Sequence, residues 1–251
     1  MQTELLLFVA GLAAGVINAI AGGGGIILYP ALLASGLSPL IANATSSLAV
    51  WPGSVAATYG YRRELRKIPH SFFYLTLPCL IGSILGCYIL VNTQPTTFEQ
   101  LAPWLVLSAV LLLALQSKIH KWLSMQTKRG KIHWHTMPLI FMAVFPLAMY
   151  GGFFGAGFGL MMLAILGFSS LQNIHQMNAI KNLCGITMAV VATIYFARAG
   201  LISWNEGLIM ASGNAIGGYL GARTAQKVSA HVVHDLTVVI GLIISAVLIL
   251  R

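Results

Sequence analysis

The stretch "NAIAGGGGIILYPALL", residues 18–33, places four consecutive glycines inside a run that is otherwise apolar. Glycine in a helix interior is destabilising by roughly 0.5–1 kcal/mol relative to alanine. In a hydrocarbon environment, a helix break also exposes backbone N–H and C=O groups, each at a cost of several kcal/mol. We therefore expect that other protein groups or a polar cavity supply hydrogen-bond partners at this break.

The composition around this stretch is that of an integral membrane protein. The chain has 251 residues, of which 58% are hydrophobic and 8% are charged, whereas about 25% charged residues are usual in soluble domains. No charged residue lies between positions 5 and 61, and Lys181 is the only one between positions 132 and 197. A membrane-spanning helix needs about 20 apolar residues. We therefore expect an all-α, multi-pass integral membrane protein.

Eight hydrophobic elements are predicted, and the first and fifth are long and broken by glycines. They cover residues 4–36, 40–61, 70–92, 100–117, 136–167, 176–198, 203–223 and 232–250. The first run lacks the preceding basic residues of a signal peptide, so we interpret it as a membrane element. A polar, basic connection at residues 118–135 separates a first repeat, residues 1–117, from a second, residues 136–251. Both repeats belong to a single membrane domain, residues 1–251.

The two halves resemble each other at a constant offset of 135 residues. Asn43 corresponds to Asn178, "VAAT" at 55–58 to "VVAT" at 190–193, and "GSILG" at 82–86 to "GGYLG" at 217–221. The glycines at 22–25 correspond to "GGFFGAGFG" at 151–159. Internal repeats of this kind are typical of secondary transporters.

Five stretches in order resemble one family of permeases. They are "AGVINAIAGGGGIILYPALL" (14–33), "GLSPLIANATSSLAVWPGSVAAT" (36–58), "YGGFFGAGFGLMMLAILGF" (150–168), "NAIKNL" (178–183) and "GGYLGAR" (217–223). Together they resemble the TauE/SafE family of sulfite-exporter-type anion permeases. The resemblance implies an eight-element inner-membrane transporter for sulfur oxyanions, organosulfur anions or organic anions. Many relatives carry an Asn-Lys pair where this chain has Ser46 and Ser47, so a second membrane lysine is missing here.

The distribution of basic residues favours inverted repeats. The connection after the second element carries Arg62, Arg63, Arg66 and Lys67, whereas the corresponding connection of the second half carries Arg198 alone. The uncharged "NTQPTTF" at 92–98 corresponds to the region of Arg223 and Lys227. Basic loops face the cytoplasm, so the basic connection 118–135 is predicted to be cytoplasmic. A parallel repeat with four spans in each half gives the same tally of basic residues and stays open, as does the number of crossings.

Lys181 is the strongest candidate for a functional residue. A lysine at the bilayer centre costs about 2.5–3.5 kcal/mol on insertion scales, and no Asp or Glu lies within a predicted membrane core. A transported anion is the simplest partner for this ammonium, although backbone carbonyls would also serve. The alternative interpretation is that Lys181 extends to the membrane interface.

The glycine breaks predict two facing anion-binding cradles near the midplane. A half-helix beginning near Ile26 has free N–H groups and a positive dipole end, which attract anions. Neighbouring Asn and Ser side chains can donate hydrogen bonds to oxyanion oxygens. The alternatives are close helix packing for the glycines and interhelical hydrogen bonds for the polar side chains. The predicted substrate-binding residues are Asn18, Gly22, Gly23, Gly24, Gly25, Asn43, Ser46, Ser47, Gly155, Gly157, Gly159, Asn178, Lys181 and Asn182.

The sequence thus predicts a permease for a small anion, which the family resemblance implies to be sulfite or a related organosulfur or organic oxyanion. An inside-negative potential drives anions outward, by about 2.3 kcal/mol per charge per 100 mV. Export therefore needs no membrane carboxylate to carry coupling protons, and the absence of such carboxylates favours export or channel-like flow over proton-driven uptake. An anion channel, or a membrane binding or assembly protein without transport, is the alternative. We expect no enzymatic activity, cofactor, metal site or nucleic-acid partner. The lipid bilayer and a small anion are the expected partners, while a homodimer and the coupling ion are left open.

Overall fold

The structure is a computed structural model that describes residues 2–127, 137–169, 171 and 173–225. Within these ranges the chain is helical apart from short connections. The α-helices are α1 (Gln2–Ile20), α2 (Gly25–Ala34), α3 (Pro39–Gly60), α4 (Arg62–Leu65), α5 (Thr76–Val91), α6 (Pro95–Thr127), α7 (Met137–Phe153), α8 (Phe158–Leu166), α9 (Ile174–Arg198) and α10 (Trp204–Thr224), and a 3₁₀-helix, His70–Leu75, precedes α5. The predicted eighth element, residues 232–250, lies outside the described residues.

Both predicted helix breaks are present. The first predicted element consists of α1 and α2, and the chain turns between them at Gly22, where φ is +88°. The fifth consists of α7 and α8, separated by a turn in which Gly157 has φ +81°. A residue with a side chain rarely adopts such a backbone φ, so both turns favour glycine. Gly22 and Gly157 are 135 residues apart, and the sequence repeat therefore extends to the backbone conformation.

Helix α6 is longer than the apolar run that predicts it. The fourth element was expected at residues 100–117, whereas α6 runs from Pro95 to Thr127. No glycine or proline occurs between positions 104 and 129, so nothing in the sequence stops the helix where it becomes polar. The first part of the predicted connection 118–135 is therefore helical, and its remainder, 128–135, falls outside the described ranges.

The two halves pack across each other in a reciprocal way. Helix α1 of the first half packs along α10 of the second, and α7 of the second packs along α5 of the first. Helices α3 and α9, which correspond to each other in the repeat, pack against one another. In the repeat, α1 corresponds to α7 and α5 to α10. The α1–α10 pair of one half-to-half contact therefore corresponds to the α7–α5 pair of the other, and the α3–α9 pair corresponds to itself. This packing fits a two-fold relation between the halves, and the inverted, eight-element arrangement stays a prediction.

Small residues bring the paired helices into backbone contact. A Cβ atom added to Gly217 of α10 would lie 2.0 Å from the carbonyl oxygen of Leu12 in α1. A Cβ atom added to Gly86 of α5 would lie 2.0 Å from the carbonyl oxygen of Met149 in α7. Such contacts are typical of helix packing in membranes, where close approach increases van der Waals attraction.

Apolar side chains cover the outside of the bundle. Helix α5 buries Cys79, Gly82 and Gly86 but exposes large apolar residues on its other face, including Leu77, Ile81, Ile84 and Tyr88. Three of the described segments are long and apolar enough to span a membrane, by length and composition: Gln2–Ile20, His70–Val91 and Ile174–Arg198. An apolar surface of this extent fits a lipid environment.

Candidate functional site

Side chains from distant parts of the chain complete the last turn of the broken helix α1. A helix end leaves carbonyl oxygens without intrahelical donors, and in this turn each such oxygen accepts from a distant side chain. The carbonyl oxygen of Asn18 accepts from Lys181 Nζ at 2.5 Å, that of Ala19 from the hydroxyl of Tyr61 at 3.1 Å, and that of Ile20 from Asn178 Nδ2 at 3.2 Å. The protein therefore supplies the partners that the glycine break requires.

The end of α7 is completed in the same way from the opposite half. Asn43 Nδ2 donates to the carbonyl oxygen of Phe153 at 2.9 Å, and the thiol of Cys87 donates to that of Gly152 at 3.4 Å. Asn43 and Asn178 are repeat-related, so each asparagine holds the broken helix of the other half. The amide nitrogens of these two predicted binding residues thus donate to the protein backbone.

Replacing Asn178 with leucine should destabilise the fold by about 1–3 kcal/mol, because the carbonyl of Ile20 would lose its donor in an apolar interior. Thermal unfolding of purified protein in detergent measures the effect. The matched control is Asn92→Leu, since Asn92 is exposed and its amide donates only to Tyr88 of its own helix at 2.8 Å. If both variants lowered the unfolding temperature equally, the assigned role of Asn178 would be wrong.

Lys181 lies inside the protein, with 2% of its surface exposed, and its side chain does not reach the molecular surface. Its ammonium donates to the carbonyl oxygen of Asn18 and to Asn178 Oδ1, the latter at 2.8 Å. The carbonyl end of a helix carries partial negative charge and stabilises a cation there. An ammonium has three N–H donors, and no carboxylate pairs with this one among the residues described. One donor of Lys181 therefore remains for a further partner.

A cavity of about 50 Å³ lies between the two helix breaks. The predicted residues in its wall are Asn18, Gly22, Gly25, Ser46, Ser47, Gly155, Gly159, Lys181 and Asn182. The others, Gly23, Gly24, Asn43, Gly157 and Asn178, lie at or beside the breaks but outside the wall. A water molecule needs about 10–15 Å³ of such volume, so the cavity has room for a few waters or a small ion.

The two breaks touch each other beside this cavity. A Cβ atom added to Gly22 would lie 2.6 Å from the carbonyl carbon of Gly159, and one added to Gly159 would lie 2.6 Å from the carbonyl oxygen of Gly22. Gly25 is the first residue of α2, and a Cβ atom added to it would lie 3.0 Å from the Cα atom of Ala156, which lies just before α8. The positive ends of α2 and α8 therefore converge next to the cavity.

Two further polar residues in the wall escaped the sequence analysis. Ser54 accepts a hydrogen bond from Asn18 Nδ2 at 3.3 Å. It lies seven residues after Ser47, so helical periodicity placed both serines on one face of α3 and could have identified it. Tyr29 lines the cavity and also a larger outer pocket of about 640 Å³ that contains Glu99. Its ring packs edge-on against Phe154 at 5.4 Å, a contact that nothing in the sequence indicates.

Asn182 is the least satisfied polar group of the wall. It is 1% exposed, and neither its amide oxygen nor its amide nitrogen has a hydrogen-bond partner. Asn214, in α10 and outside the cavity wall, shares this property. Buried polar atoms are almost always hydrogen-bonded, so each exception needs an explanation.

Broken helices that meet at a small, partly polar cavity within an apolar bundle are typical of membrane transporters. Residues 7–248 match the Sulfite exporter TauE/SafE family, and the chain belongs to that family. It is therefore a membrane transporter, multi-pass and located in the inner membrane.

Curated relatives carry names that agree with this class. A "Probable membrane transporter protein" of Haemophilus influenzae is 27% identical, over 96% of this chain and 92% of the relative. The "Probable membrane transporter protein YfcA" of Escherichia coli K12 is 28% identical, over 96% and 87% of the two chains. The "Probable membrane transporter protein ORF9" of Sinorhizobium sp. is 28% identical, over 94% and 88%. No solved structure matches the chain.

Proposed function

We propose that this transporter moves a small oxyanion, sulfite or a related organosulfur or organic oxyanion, and that the central cavity binds it. The observation that carries the proposal is the ammonium of Lys181 in a cavity whose described wall contains no acidic side chain. A buried cation beside two helix N-termini attracts an anion and repels a cation. The size of the cavity, about 50 Å³, favours a compact anion.

In this proposal, the free N–H of Lys181 and the amide of Asn182 donate to the oxyanion. The converging starts of α2 and α8 add the positive ends of two helix dipoles. Ser46, at the repeat position of Lys181, donates to the carbonyl oxygen of Asn43 at 2.7 Å. The binding site is therefore asymmetric, with its basic group supplied by the second half alone.

Access to the cavity would alternate between the two sides of the membrane. Tyr29 lines both the cavity and the outer pocket around Glu99, and its ring packs edge-on against Phe154 of the cavity wall. We propose that the halves form inverted repeats and rock about the contact between the two breaks, so that these rings part in one state. The inside-negative potential then favours export of the anion.

Anion efflux from proteoliposomes tests this function. Vesicles loaded with sulfite, sulfate, thiosulfate or methanesulfonate would be compared with protein-free vesicles of the same lipid. We expect saturable efflux of at least one of these anions, accelerated by an inside-negative potential. Efflux that rose linearly with concentration would indicate a channel, and no efflux above that of protein-free vesicles would contradict the proposal.

A further inference from the structure

The amide of Asn182 constrains the chemistry of the transported anion beyond its charge. Asn182 lines the cavity, its side chain is 1% exposed, and neither of its amide atoms has a hydrogen-bond partner. A carboxamide offers two N–H donors and one oxygen acceptor. A ligand without any donor would satisfy the nitrogen and leave the oxygen buried and unpaired, which is unfavourable.

The charge of the wall limits the charge of the ligand. Lys181 is the one basic residue among the described residues of the wall, and its repeat partner Ser46 is uncharged. A monoanion neutralises this single ammonium. A second negative charge would find no further basic side chain and only the partial positive charges of the two helix starts, and burial of an incompletely paired charge is costly.

We infer that the transporter selects a monoanion that also carries an N–H or O–H donor, and this inference rests on the proposed function. The oxyanion accepts from Lys181 and from Asn182 Nδ2, while its own protic group donates to Asn182 Oδ1. Hydrogensulfite has both features. Sulfate is a dianion without a donor, and methanesulfonate is a monoanion without a donor, so each lacks a required feature.

Sulfamate and methanesulfonate form a matched pair of probes for this inference. Both are tetrahedral monoanions at neutral pH, and they differ by an amino group in place of a methyl group. We would measure how each inhibits sulfite efflux from proteoliposomes, and how each shifts the thermal unfolding of the purified protein. The protein forms are wild type, Asn182→Leu and Asn214→Leu. Asn214 is the control, because it is equally buried and unpaired but lies outside the cavity wall.

In wild type and Asn214→Leu, sulfamate should inhibit efflux at a concentration about tenfold lower than methanesulfonate, because the lost hydrogen bond leaves a buried acceptor unpaired. In Asn182→Leu the two concentrations should be nearly equal. Equal inhibitory concentrations of the two anions in wild type would overturn the inference. An Asn182→Leu variant with the same ratio of inhibitory concentrations as wild type would also overturn it. Selective thermal stabilisation by sulfamate without any sulfite efflux would support the inferred selectivity while the proposed transport of sulfite failed.

Discussion

Replacing Lys181 with methionine should reduce sulfite efflux by about 100-fold, because a charge-assisted hydrogen bond to a buried anion contributes up to about 3 kcal/mol. Methionine keeps most of the length and apolar packing of the lysine side chain and removes its charge. Efflux per amount of folded protein, with the folded fraction taken from size-exclusion chromatography, measures this effect. The cavity wall would then contain no basic side chain among its described residues.

Lys67→Met is the matched control for that experiment. It removes the same ammonium group, but from a side chain that is 61% exposed and forms an ion pair with Glu64 at the surface. We expect its efflux to equal that of wild type. Lys181→Met also removes the donors to Asn18 and Asn178, so its unfolding temperature should fall. If stability fell while efflux per folded protein persisted, Lys181 would hold the end of α1 without binding the anion.

Alanine at Gly22 should destabilise the protein most strongly among single glycine substitutions at the breaks. Two costs combine there: a φ of +88° and a Cβ atom 2.6 Å from the backbone of Gly159. A left-handed conformation costs an L-residue about 1–2 kcal/mol, and overpacking costs about 1–3 kcal/mol. We therefore expect a loss of about 2–5 kcal/mol, measured by thermal unfolding, together with loss of efflux.

Two other glycines separate these costs. Gly159 has a negative φ but contacts the carbonyl oxygen of Gly22, so Gly159→Ala isolates the steric cost. Gly36 has φ +95° and nothing within 4 Å of an added Cβ atom, so Gly36→Ala isolates the backbone cost. Gly36→Ala should keep efflux. Gly159→Ala should lose efflux, because the added methyl group would force the two helix breaks apart. Equal efflux in these two variants would show that contact between the breaks is dispensable.

The class of protein and the breaks were predictable from the sequence because their signals are local. Long uncharged runs indicate a membrane environment, and clustered glycines indicate where a helix stops. Lys181 could be identified because an isolated charge in an apolar run needs a partner, and Asn182 because it lies on the Lys181 side of the same helix. The length of α6 was not predicted, since a hydropathy limit is not a helix end when the polar residues that follow also favour helix.

The tertiary structure decided which polar groups serve the fold and which face the cavity. Asn43 and Asn178 match each other in sequence just as the glycine breaks do, yet their amide nitrogens cap the broken helices of the opposite half. Lys181 meets α1 through the carbonyl oxygen of Asn18, a residue 163 positions away. The sequence by itself determined that the breaks need partners, since no buried backbone group can stay unpaired in a membrane. Only the reciprocal packing of the two halves determined what those partners are, because they lie in distant segments that no local pattern connects.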